Sequence, residues 1–144
     1  MRNINIGGRS IPLLYTTYEL IQIQEEIGCT GHQLVDEVFG LRLKDEDDPT
    51  SWVFDCVKDG KKTKNLGKLI RILGNAGLEE KGEEPDLTDK WILRNMKPAL
   101  IIVYAMAAYA VVNEGNLLEQ TGSEKNGPVD EGLEEELAKK PQGN

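Results

Sequence analysis

Between Ala99 and Val112 the chain carries no charged side chain, and only the hydroxyls of Tyr104 and Tyr109 are polar. The stretch reads as a helix that is apolar on every side. Pro98 disfavours helical geometry at Lys97 and so separates this helix from whatever precedes it. An all-apolar helix is either wrapped in the centre of a bundle or used for attachment. It falls short of the roughly 20 apolar residues that span a bilayer comfortably, so no membrane partner is expected. Small domains bury a smaller fraction of their surface than large ones, so wrapping every face is hard. The remainder is an exposed patch, and such patches mark interaction sites. The expected partner-binding residues are Leu100, Ile101, Val103, Tyr104, Met106, Ala108, Tyr109 and Val111. Ala105, Ala107, Ala108 and Ala110 permit close backbone approach.

The rest of the chain sets the body that this helix joins. Its 144 residues suit one domain of about 100–150 residues plus an appendage. Ile4 and Ile6 alternate with Asn3 and Asn5 at the period of a half-buried strand. Gly7-Gly8 then supplies the positive φ angles of a two-residue turn. Residues 3–15 therefore read as a β-hairpin, with Pro12 placing the second strand partly at an edge. Thr16 and Glu19 form a capping box for a helix ended by Gly28, with Leu20, Ile23 and Ile27 as its stripe. Thr30 and Gln33 repeat the pattern for a second helix bearing Leu34, Val35, Val38 and Phe39, ended by Gly40.

Asp48-Pro49 opens a third helix carrying Trp52, Val53, Cys56 and Val57, with a strand turning at Asp59-Gly60 as the alternative. A fourth starts at Asn65 and presents Leu66, Leu69, Ile70 and Leu73. The acidic connector "LEEKGEEP" follows. A fifth begins near Asp86 or Thr88 with Trp91, Ile92 and Met96 inward, and the uncharged helix is the sixth. The fold class is mainly α: a compact helical domain of five to six helices over residues 1–115, with a short N-terminal β-hairpin. Residues 116–144 form a flexible acidic C-terminal tail. From Glu114 onward there are eight acidic side chains against three lysines, and few apolar residues to offset ordering entropy.

Catalytic and cofactor chemistry finds no foothold. Cys29 and His32 have C-x-x-H spacing, but metal sites take three or four ligands and no second pair lies nearby. His32 is the one histidine, and no nucleophile, base and orienting group can be assembled round it. "INIGGRS" and "ILGNAG" lack the lysine of a phosphate-cradling loop. Asp45, Glu46, Asp47 and Asp48 lack the alternation of a calcium loop and read as a solvated linker. No enzyme, cofactor or metal is expected. Two cysteines are too few for a disulfide framework and fit a reducing compartment, and "MRNINIGGRS" has no signal-peptide core. Lys58, Lys61, Lys62, Lys64, Lys68 and Arg71 form a basic patch suited to an acidic protein surface or to a second copy's tail. Nucleic acid is disfavoured as a partner by the net charge of −8.

"INIGGRSIPLLYTTYELIQIQEEIG" resembles the opening of tail assembly chaperones from long-tailed bacteriophages and prophages: strand, G-turn, strand, then an amphipathic helix ending "EE-x-G". "LIRILGNAGLEEKGEEPDLTDKWILRNMKPALI" is similar to members from prophages of Gram-positive bacteria. The two stretches span roughly residues 3–113 with a spacer between them. The resemblance implies a non-enzymatic protein of the bacterial host's cytoplasm, absent from the finished virion. Its implied partners are the hydrophobic tape measure protein, which it keeps soluble, and the tail tube protein, which it recruits. Self-association is compatible with this. The resemblance also implies a longer product of programmed frameshifting. Lys139-Lys140 fits an A-rich slippery codon run, which the DNA across codons 138–144 would reveal or exclude. Two other classes remain: a structural tail or connector protein retained in the virion, and a small nucleic-acid-binding regulator.

Overall fold

The computed structural model describes residues 1–29 and 33–121. The chain divides into two units, Met1–Val111 and Val112–Asn144. The first is mainly helical and opens with a two-stranded hairpin, as expected. Strand β1 (Arg2–Ile6) pairs antiparallel with β2 (Arg9–Leu13), Ile4 facing Ile11 and Asn3 facing Pro12. Gly7 and Gly8 sit at φ 60° and 77°, the left-handed pair that a tight hairpin turn demands. Ile4, Ile6, Ile11 and Leu13 point into the core.

Helix α1 (Thr17–Glu26) begins with the expected capping box. The Thr16 N–H donates to Glu19 Oε1 at 2.9 Å, and Thr16 Oγ1 accepts from the Tyr18 N–H at 3.2 Å. The second expected helix is a π-helical turn, Val35–Phe39, closed by Gly40 in the left-handed region. Thr30 and His32 lie outside the described residues.

The third expected helix is a correction. Residues 52–54 form strand β4 (Trp52–Phe54), antiparallel to β3 (Leu41–Leu43). Only Asp55–Lys58 is helical, as a 3₁₀ turn. Trp, Val and Phe in a row favour a pleated surface, and Leu41-Arg42-Leu43 offers a partner strand. The intervening loop closes itself, with Ser51 Oγ donating to Asp45 O at 2.9 Å and Asp48 O at 2.8 Å.

Helix α2 (Gly60–Glu80) starts before the expected Asn65. It is capped by Asp59, whose carboxylate accepts from the Lys61 N–H at 2.9 Å, not by Asn65. It also runs through Gly74 and Gly77, residues of low helix propensity. Both glycines admit neighbours. A Cβ on Gly77 would lie 2.1 Å from the Pro12 carbonyl oxygen, and one on Gly74 would meet Leu87 and Ile11 side chains at 2.6 and 2.8 Å. Strand β2 therefore rests directly on the α2 backbone, and the Leu14 N–H donates to Leu73 O at 3.0 Å. Leu66, Leu69, Ile70, Ile72, Leu73 and Leu78 are fully buried, so α2 occupies the centre.

Asn75 clamps the connector, exchanging hydrogen bonds with the Leu87 backbone at 3.0 and 3.1 Å. Thr88 caps α3 (Asp89–Asn95), which buries Ile92. Trp91 is half-buried and takes the Arg9 guanidinium 5.8 Å from its ring centre. Arg71, only 16% exposed, joins three helices by pairing with Glu26 of α1 and with Asp89 of α3 at 2.6 Å. Pro98 starts a 3₁₀ turn (Pro98–Leu100) that leads into α4 (Ile101–Thr121). In the second unit, residues 112–121 continue this helix, six residues past the expected start of the tail. The acidic segment 122–144, with Lys139 and Lys140, lies outside the described residues.

Two predictions follow from these contacts. Gly77→Ala should destabilise the fold by about 2 kcal/mol or more, since a methyl driven into the Pro12 carbonyl outweighs the ~1 kcal/mol of helix propensity gained. Gly67→Ala meets only the flexible end of Leu93 and should be neutral or stabilising by up to about 1 kcal/mol. Denaturant titration of both variants measures the contrast. Glu26 supplies the second test, because the Arg71 guanidinium holds its carboxyl below the ordinary 4.5. A depressed carboxyl stabilises the fold above the unfolded value and loses that contribution as pH falls through the lower, folded one. Stability should thus decline on acidification below about 4.5, and Arg71→Met should flatten that decline. At neutral pH the same variant should cost about 1–2 kcal/mol, below a fully buried pair because both carboxylates stay over a third exposed.

Candidate binding site

The two faces of helix α4 diverge. Tyr104, Ala105, Ala108 and Val111 are buried in the first unit. The Tyr104 hydroxyl accepts from the Lys97 N–H at 3.4 Å, so the one polar atom of that buried ring has a partner. On the other face Ile102, Val103 and Met106 are 45, 55 and 54% exposed, and Leu100, in the 3₁₀ turn just before the helix, is 40% exposed. Of the residues expected to bind a partner, Leu100, Val103 and Met106 are therefore presented to solvent. Ile101 and Tyr109 are half-buried. Tyr104, Ala108 and Val111 are taken up by the core. Ile102 joins the exposed stripe, which its position one turn before Met106 required.

Beside this stripe lies an open apolar groove of about 560 Å³ lined by Val35, Leu41, Trp52, Phe54, Met106 and Tyr109. Its geometry comes from three elements. The π-helical turn supplies Val35, and α4 supplies Met106 and Tyr109. The β3–β4 hairpin supplies one face, because Leu41 stands opposite Phe54, and Trp52 lies two positions before Phe54 on the same side. The base is an aromatic cluster. Phe39 and Tyr109 meet edge to face at 5.4 Å, Phe54 and Tyr109 at 5.9 Å, and Phe39 and Phe54 at 6.2 Å. Such contacts fix the rings and make the groove preformed. Trp52, 55% exposed, stands at its rim.

Sequence reasoning missed the hairpin wall. The signal was the alternation in Leu41-Arg42-Leu43 and the β-favouring Trp52-Val53-Phe54, each only three residues long.

Most of the expected basic patch lies on α2. Lys61, Lys64, Lys68 and Arg71 share one stripe of α2 by spacing. Arg71 is bound by two carboxylates, and Lys62 pairs with Asp59 at 3.9 Å. Lys58 lies in the 3₁₀ turn before the helix. Cys29 and Cys56 are buried, and burial pushes both thiols up from their ordinary value of 9.0. Among the described residues no three His, Cys, Asp or Glu side chains are placed to hold a metal. Pro98–Asn116 is long and apolar enough to cross a membrane by length and composition, which goes beyond the shorter span read from the sequence.

This is a mainly helical domain with a preformed apolar groove and an unpartnered helix stripe. Compared with protein-family models, curated proteins and solved structures, the chain matches none of them.

The two faces of α4 separate in their expected behaviour. Tyr104→Ala should cost about 3–5 kcal/mol through the cavity it opens. Met106→Asp and Val103→Asp should each stay within about 0.5 kcal/mol of the parent while lowering the binding of an apolar dye. Parallel denaturation curves and dye titrations read both effects.

Proposed function

We propose that this chain is a non-enzymatic assembly chaperone of a phage or prophage tail, which holds a hydrophobic helical partner in its groove. The observation that carries this reading is the pairing of a rigid aromatic-floored groove with the exposed stripe Leu100, Ile102, Val103 and Met106. An amphipathic helix binds such a surface through anchors at i, i+3, i+4 and i+7. The sequence resemblance supplies the identity of that helix: the tape measure protein, kept soluble until tube subunits polymerise round it. A chain of net charge −8 adds repulsion between loaded complexes, which keeps them apart in solution. On this reading the chaperone acts in the host cytoplasm, brings tail tube protein to the complex and leaves before the virion is complete.

Co-expression with the tape measure protein encoded nearby tests this. The parent chain should carry that protein into the soluble fraction and elute with it on sizing. The combined Trp52→Ala and Met106→Asp variant should fold and lose the complex. A tape measure protein equally insoluble with and without the chain would overturn the proposal.

A further inference from the structure

The groove has an uneven rim. Leu43 stands opposite Trp52, the last pair of the β3–β4 hairpin before its loop. The next residues round that tip include Asp45, Glu46, Asp47 and Asp48, all exposed. The loop carrying them is held in one shape. The Lys44 N–H donates to Ser51 O at 2.8 Å, the Asp48 N–H to Asp45 O at 3.0 Å, and Thr50 Oγ1 to Asp48 Oδ1 at 2.6 Å. That last bond lowers the pKa of Asp48 and keeps it ionised. Among the described residues none of the four carboxylates takes part in an ion pair, so their charge is unspent. The facing wall, α4, carries no charge from Ala99 to Val112. An occupant therefore meets apolar surface along the groove and concentrated negative charge at the hairpin end.

We infer that the groove takes an amphipathic helix whose apolar face runs into a cluster of lysines or arginines, seated with that basic end over Asp45–Asp48. This rests on the apolar-helix reading above and adds the chemistry of the partner. Charge of opposite sign at one end fixes the direction in which the helix lies and speeds encounter. An acidic or uncharged helix of the same apolar pattern lacks that direction. An anionic lipid surface would be repelled at the same end.

Two labelled helical peptides of the same Leu/Met pattern test this against the full chain, one ending in four lysines and one in four glutamates. The lysine-ended peptide should bind about tenfold more tightly at about 0.1 M salt, the gap closing near 1 M salt. Replacing the loop charges as D45N, E46Q, D47N and D48N should abolish the gap, with the amide oxygens still able to accept the loop's hydrogen bonds. Should that variant unfold, E46Q with D47N, whose carboxylates accept none of those bonds, should halve it on a logarithmic scale. Equal binding of the two peptides would overturn the charge inference and leave the groove reading standing. Binding of neither peptide would overturn both. Concentration-dependent pairing of copies that displaces the peptide, or capture by phosphatidylglycerol vesicles in its place, would overturn the choice of occupant.

Discussion

The contact of strand β2 with the backbone of α2 sets the arrangement of the first unit. Only hydrogen on Gly77 lets the Pro12 carbonyl approach, since a Cβ there would sit at 2.1 Å. Glycine weakens a helix by about 1 kcal/mol relative to alanine, so Gly74 and Gly77 carry a local cost. Close packing offsets it: Ile11 and Leu13 reach the α2 side chains, and Leu14 bonds to Leu73. With the hairpin seated, α1 and α3 find their places through Arg71, one guanidinium shared by Glu26 and Asp89. The central helix is thus the one with a charged N-terminal half and glycines in its second half, not the uncharged one.

That allocation explains α4. A domain of this size has one central position, and α2 holds it. Helix α4 is left to bury a single face, through Tyr104, Ala105 and Ala108, while Ile102, Val103 and Met106 remain outside. The β3–β4 hairpin does not cover them; it stands alongside and turns the gap into a groove.

The parts of this fold that are legible in the sequence have their physical cause within a few residues of one another. Gly7-Gly8 specifies the first hairpin, Thr16 and Glu19 the start of α1, Thr88 the start of α3, and Pro98 the break before α4. The parts that are not legible depend on distant partners. Strands of three residues are too short for an alternation count to separate them from a turn of helix, and Leu41–Leu43 becomes a strand only by pairing with Trp52–Phe54. Gly74 and Gly77 weaken a helix by local propensity, whereas their use lies in Pro12 and Ile11, more than sixty residues earlier. The same limit applies to the candidate site. The uncharged run led to the expectation of an exposed apolar face, but which of its side chains face outward was decided by where the core lay. Trp52 and Phe54, assigned to a helix, are in fact the opposite wall.

The exposed stripe is where fold and use separate. Charged or polar residues at Ile102, Val103 and Met106 would satisfy the helix equally well, since long polar side chains have good helix propensity and these positions touch little of the core. Solubility would favour them. A chain with 29% charged residues has placed none there, while lining the adjacent groove with aromatic rings already locked edge to face. Stability does not require that choice; burial against a partner helix, as proposed above, would. Rigid rings lose little freedom when a partner arrives, so the apolar area they offer converts to affinity with less entropic loss than a flexible surface would. On the inference drawn above, the acidic tip beside them would select among apolar helices, which the rings alone cannot do.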